Sequence, residues 1–431
     1  MSSAYWNQPL SDQATAVREG AVSAETLVVQ TRAEILRAET NLAAWVQLSD
    51  RIIDDARLED ETGGRRPLRG ISIGIKDLID VAGLPTRAGS ALTSSEPVAK
   101  DADCVARFRE LGAVVQGKTV TTEFGYFSPG PTRNPTATDH TPGGSSSGSA
   151  AAVGAGVIPI ALGTQTAGSL TRPASYCGAA GMVLAHGTTS LAGVTGLSQS
   201  LDSLGILTRT VDDLAYVYAA FTGRPRRETS AQRVASALVW RGSGLDTVEP
   251  AMQRLLDLLP DVLVQAGLRA DDLDWDDHVQ TLADDHVTVM SYEAAGSLDE
   301  IEKSSRDALS PQLCALIDSG REVPAAAVAG ALTRRDRSRD LLRDMMADAT
   351  VIVGPAALGP APKGLDATGS PVLSRPWQLL GLPVVVVPGA RTTDGLPLGL
   401  QVIGMRGDEA NLFEAAGRLE PLLRDLPAVP A

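Results

Sequence analysis

From Gly70 onward the chain repeats one arrangement: short apolar runs, each long enough for a single strand, separated by stretches with helical spacing. The runs fall at 71–75, 113–116, 157–162, 351–353, 384–387 and 399–403. Continuous apolar runs of this length belong to strands buried on both faces. Interleaved with helices, they predict an α/β fold with a mixed, largely parallel central sheet covered by helices on both faces. Residues 10–56 carry apolar positions at helical spacing, with Ser23 as an N-cap before Ala24-Glu-Thr-Leu27, so N-terminal helices within 1–60 are expected to cover one face. Between 224 and 349 the strands give way to charged sequence, including Asp271-Asp-Leu-Asp-Trp-Asp-Asp277 and Arg334-Arg-Asp-Arg-Ser-Arg-Asp340. This stretch reads as a helical insertion with solvated faces. No internal repeat divides the chain, and residues 1–431 are expected to form a single domain.

Composition narrows the partners. A net charge of -14 repels a nucleic-acid backbone or an anionic membrane, so neither is expected as a partner. No apolar run reaches the roughly 18–20 residues of a membrane helix. Cys104, Cys177 and Cys314 are odd in number and far apart, which fits neither a disulfide framework nor a zinc cluster. The N-terminus, Met1-Ser-Ser-Ala-Tyr-Trp-Asn7, has no basic segment followed by an apolar core. A cytoplasmic protein with reduced cysteines is the expectation.

The run at 71–75 ends in Lys76, one of five lysines in the chain. An ammonium at the end of an interior strand is costly unless it is paired or loses its proton. Asp77 and Asp80 offer a salt bridge, which suffices if nothing else calls for a buried amine. Two later segments do call for one: Gly143-Gly-Ser-Ser-Ser-Gly-Ser149 and Gly163-Thr-Gln-Thr-Ala-Gly-Ser169. A glycine-serine loop alone is a turn or an anion-binding helix start, but this one lacks the Gly-Lys-Ser/Thr ending of a phosphate loop. Together with Lys76 the segments point to a hydroxyl nucleophile activated by a buried amine, whose pKa desolvation lowers toward neutrality. His140, His186, His278 and His286 show no nucleophile-elbow context, no His-Glu-x-x-His pair and no nearby cysteine ligand.

Lys76, the 143–149 stretch and the 163–173 stretch resemble, in order and spacing, the signature of the amidase signature family. The similarity runs on to Arg375-Pro-Trp-Gln-Leu-Leu-Gly-Leu-Pro383. By that resemblance Ser169 is the nucleophile, Ser145 the bridging serine that follows a cis peptide bond, and Lys76 the base. Neutral Lys76 takes a proton from Ser145, Ser145 takes one from Ser169, and the Ser169 oxygen attacks an amide carbonyl. Backbone N–H groups of Thr166, Ala167 and Gly168 are the candidates for the oxyanion hole. Tyr126, Phe127 and Trp377 are candidates to line the acyl pocket, against the plainer reading that aromatics beside glycine and proline are packing anchors. The implied function is hydrolysis of a carboxamide or related C–N bond of a small molecule through an acyl-enzyme, without metal or organic cofactor; a homodimer is left open.

Two departures from the family pattern stand out. Gln165 replaces a common aspartate and Thr171 a common arginine, with arginine one place later at Arg172; changing both partners together avoids stranding one buried charge. After Cys177-Gly178 the usual Gly-Leu/Phe-Lys-Pro-Thr/Ser run is replaced by Gly181-Met-Val-Leu-Ala-His186, which is expected to reshape the acyl pocket. Three alternatives accompany the hydrolase reading. They are an acyl transferase, the glutaminase subunit of a tRNA-dependent amidotransferase (disfavoured by the missing Lys-Pro-Thr run), and a catalytically silent small-molecule binding protein.

Overall fold

A computed structural model describes residues 5–224, 234–346 and 350–430. All six expected runs are strands. They are joined by others in one sheet: β1 (Trp45–Leu48), β2 (Ser72–Lys76), β3 (Val114–Thr119), β4 (Ile160–Gln165), β5 (Ala180–Val183), β6 (Ser203–Thr208), β7 (Ser236–Val239), β8 (Arg269–Asp272), β9 (Thr350–Pro355), β10 (Val384–Arg391) and β11 (Pro397–Ile403). Among the described residues the spatial order is β1-β3-β2-β4-β6-β5-β10-β11-β9-β7-β8. The sheet is mixed, as expected. Its parallel pairs form two blocks, β3-β2-β4 and β9-β7-β8, joined through an antiparallel centre.

The strands are apolar on both sides because both sides are covered. Val385 and Val387 point into one core cluster, and Val384 and Val386 into the other. The first cluster is closed by helices Leu10–Arg18, Asp103–Glu110, Val211–Thr222, Pro250–Gln265 and Glu409–Asp425. The second is closed by Ser147–Gly154, Thr171–Cys177, Asp276–Ser297, Pro311–Arg321 and Ala325–Met345. In the N-terminal segment, Ser23 caps helix Ala24–Leu42 by accepting the N–H of Thr26 at 3.0 Å.

The insertion departs from its expected helical character. It contributes β7 and β8 to the sheet edge, running parallel to each other and to β9. Runs of four residues in a charged context carry too weak a periodic signal to stand out. The expected boundary at 349 lies outside the described residues, as do 225–233.

Candidate active site

Lys76 ends β2 between β3 and β4, where its side chain is fully buried. Its neighbour Asp77, also fully buried, pairs instead with Lys118, at 3.0 Å. The salt bridge that could have explained Lys76 is therefore taken by another lysine. The Lys76 amine faces Ser145 Oγ at 2.7 Å and Thr164 Oγ1 at 2.8 Å. Burial lowers its pKa to about 7, partly opposed by the charge of Asp202. A neutral amine there can donate to Thr164 while accepting the proton of Ser145.

Ser145 is held by its backbone. The Gly144–Ser145 peptide is cis, and Gly143 takes φ +78° with Pro173 Cα only 3.0 Å from where a Cβ would stand. A side chain at 143 would meet both constraints. Arg172 Nη2 donates to the Gly144 carbonyl at 2.5 Å. The adjoining Ser146 N–H donates to the Ser169 carbonyl at 3.0 Å, tying the loop of Ser145 to that of Ser169.

Ser169 follows β4 and precedes helix Thr171–Cys177, with 9% exposure. Ser145 and Ser169 line one narrow cleft with Tyr126, Phe127 and Arg375. Among the described residues Ser169 Oγ has no hydrogen-bond partner, so the link from Ser145 to Ser169 is not closed in this structure; catalytic bonds often tighten only with substrate. The N–H groups of Thr166, Ala167 and Gly168 likewise donate to no protein acceptor among the described residues. They are free donors in the loop that leads to Ser169.

The surroundings explain the first departure from the family pattern. Gln165 Oε1 accepts the N–H groups of Leu170 (2.9 Å) and Thr171 (3.0 Å) and the Thr171 hydroxyl (3.1 Å). A neutral pair thus caps the helix after Ser169, where a carboxylate without its arginine would be stranded. Gln378 completes the arrangement by donating to the Gln165 carbonyl at 3.1 Å.

Four contributors lay outside the sequence reading. Thr164 holds the amine. Asp202 is buried, which raises its pKa, and accepts the Thr166 hydroxyl at 2.5 Å. His286, fully buried on helix Asp276–Ser297, donates Nε2–H to the Thr166 carbonyl at 2.7 Å. Burial lowers its pKa to about 3, so it is neutral. Arg375 lines the cleft, and its buried Nε has no partner among the described residues. Arg172, expected only as a displaced arginine, is 3% exposed on the cleft wall with Nε and Nη1 unpartnered among the described residues, and burial lowers its pKa to about 10. Only the changes at Gln165 and Arg172 left a sequence signal.

Two expectations are corrected. Trp377 does not line the cleft: it has no exposure and packs edge-on against Trp240 at 5.0 Å and stacked with Trp275 at 6.4 Å. The segment at 183–186 does not shape the acyl pocket either. Val183 lies in β5, Leu184 and Ala185 are buried beyond it, and His186 opens onto a separate cleft with Arg335, Arg339 and Arg406. Sequence proximity to Ser169 misleads because helix Thr171–Cys177 carries the chain away from the site before β5 begins.

The amidase family model matches residues 26–413. The A subunit of glutamyl-tRNA(Gln) amidotransferase from Exiguobacterium sibiricum is 31% identical over 459 residues, covering 94% of this chain and 95% of that protein. The same-named protein of Anaeromyxobacter sp. (strain K) is 32% identical over 486 residues, covering 98% and 97%. A solved amidase superposes with a TM-score of 0.85 at 27% identity, over 96% of this chain and 100% of the other. A structure from work on a vestigial protein complex and the origins of an s-triazine catabolic enzyme gives 0.87 at 25%, over 98% and 100%. The chain belongs to the amidase signature family.

Proposed function

We propose that this hydrolase of C–N bonds other than peptide bonds uses Ser169 as nucleophile, Ser145 as proton bridge and Lys76 as base, on a small amide whose acyl part carries an anionic group. The observation that carries the reading is the fully buried amine 2.7 Å from Ser145, in a loop tied to that of Ser169. Ser169 attacks the carbonyl, the N–H groups of Thr166, Ala167 and Gly168 receive the oxyanion, and Ser145 passes the relayed proton to the leaving nitrogen. Water then cleaves the acyl-enzyme. The free N–H groups of Arg172 and the Arg375 guanidinium supply the charge and geometry to bind a carboxylate. A small-molecule substrate and a cytoplasmic setting are consistent with this chemistry.

A second reading is favoured by the relatives named as the A subunit of an amidotransferase: hydrolysis of glutamine within a larger assembly. Glutamine is itself an amide bearing a carboxylate, so the same site serves either reading. The missing Lys-Pro-Thr run, which in sequence counts against this alternative, lies away from the cleft and loses that weight.

Labelling with a fluorophosphonate tests the nucleophile. Label should be found on Ser169 and disappear in Ser169→Ala; label retained on another serine overturns the assignment. Ammonia release from glutamine, measured with and without a co-purified partner, separates the two readings.

A further inference from the structure

Ser145 faces two spaces. One is the narrow cleft shared with Ser169, Arg172 and Arg375, the side on which the acyl part is held. The other is a cavity of about 410 Å³ that touches Ser145, Thr164 and Thr166 but not Ser169. Its walls are Phe124, Leu191, Val194 and Leu197, with Gln199 and Asp202 on the polar side. None of the steps described so far draws on this cavity.

The chemistry assigns it a direction. When the tetrahedral intermediate collapses, the C–N bond breaks and the nitrogen takes a proton from Ser145. The leaving nitrogen must then lie on the Ser145 side, while the acyl carbon stays bonded to Ser169. Ammonia needs no apolar wall, and a cavity of this size falls in the range of small-molecule sites.

We propose that the cavity is the leaving-group site and that it accepts an amine with an apolar carbon body, so that the substrate is a secondary amide joining a short acyl group to that amine. The inference rests on the acyl-enzyme reading above, and it separates this chain from a glutaminase, whose leaving group is ammonia.

The test runs the first half-reaction backwards. p-Nitrophenyl acetate should acetylate Ser169 and release p-nitrophenolate in a burst absent from Ser169→Ala. An added alkylamine then attacks the acetyl carbon, the ester C–O bond breaks, and the amine proton returns to the Ser169 oxygen through Ser145. With ethylamine, propylamine and butylamine at equal free-base concentrations, N-alkylacetamide formation relative to hydrolysis should rise roughly fourfold per methylene. Leu191→Trp, which fills the cavity away from Lys76, Ser145 and Ser169, should flatten that rise, while Ser169 still takes label from a fluorophosphonate, whose fluoride leaving group needs no room there. A flat series in the unmodified protein, or a rise untouched by a Leu191→Trp protein that still labels at Ser169, overturns the proposal. Loss of any Ser169-dependent burst counts against the acyl-enzyme, and the cavity's assignment falls with it.

Discussion

At the scale of single residues, Lys76 is the group on which activity and stability conflict. As the proposed base it must be neutral, so kcat/KM should rise with pH through about 7 and level off above it. An acid limb well below 6 or near the ordinary lysine value would place the base elsewhere. The stability effect follows from the same shift. The folded-state pKa lies below the ordinary lysine value of 10.5, so between about 7 and 10.5 the unfolded chain holds the extra proton and stability rises with pH. Below about 7 the penalty is at its full value, on the order of 5 kcal/mol. Lys76→Met should therefore be inactive and more stable at pH 7, with a flatter pH dependence of urea unfolding. A variant no more stable than the parent would mean that the amine is better solvated than its burial indicates.

Asp77 and Lys118 form the complementary case, a buried acid and base facing each other at 3.0 Å. Burial raises the pKa of Asp77 and lowers that of Lys118, and each opposes the other's shift. Removing one partner leaves an uncompensated buried charge, so Lys118→Met should cost ~3–5 kcal/mol. Adding Asp77→Leu to it should recover much of that loss, which a double-mutant cycle by chemical denaturation measures.

Elements matter through what they bring to the loop of Ser169. Helix Asp276–Ser297 arises in the charged insertion, far from the signature motifs, yet its His286 grips the Thr166 carbonyl. Fixing that carbonyl fixes the plane of the Thr166–Ala167 peptide and so the aim of the Ala167 N–H. His286→Phe should lower kcat by roughly 10- to 100-fold, a part of what loss of an oxyanion donor costs, with KM little changed. His286→Gln, which can still donate, should recover part of it. A rise in KM with kcat intact would assign the helix to substrate binding instead. Because burial keeps His286 neutral near pH 7, the effect should not depend on pH between 6 and 8.

For the whole molecule, the tryptophan cluster joins parts of the chain distant in sequence. Trp240 follows β7, Trp275 precedes helix Asp276–Ser297, and Trp377 lies in helix Arg375–Leu379 beside Arg375 and Gln378. Losing Trp377 opens a large cavity between the insertion and the wall of the site, so Trp377→Ala should cost ~3–5 kcal/mol. It should also slow labelling of Ser169, since Trp377 shares a helix with Arg375 and stacks on Trp275, the residue before the helix that carries His286. Unimpaired labelling at full rate would show that the cluster stabilises the fold without positioning the site.

Much of this protein is legible in order along the chain. Six strands announce themselves as apolar runs because burial on both faces leaves no place for polar residues, and Lys76 stands out because an amine there has no cheap structural purpose. Gln165 with Thr171 is legible as a changed pair, because a lone buried charge is too costly to keep. What sequence could not decide was which distant groups meet. Asp77 pairs with Lys118, leaving Lys76 to Ser145; Trp377 goes to the core and not to the cleft; the segment after Cys177 is carried away from the site next to it in sequence. Thr164, Asp202 and His286 become parts of the site only through long-range packing. Local patterns record whether a residue is buried, since hydrophobic periodicity follows from that alone. Which partner a buried polar group finds depends on strand order and helix placement, and those exist only in the folded chain.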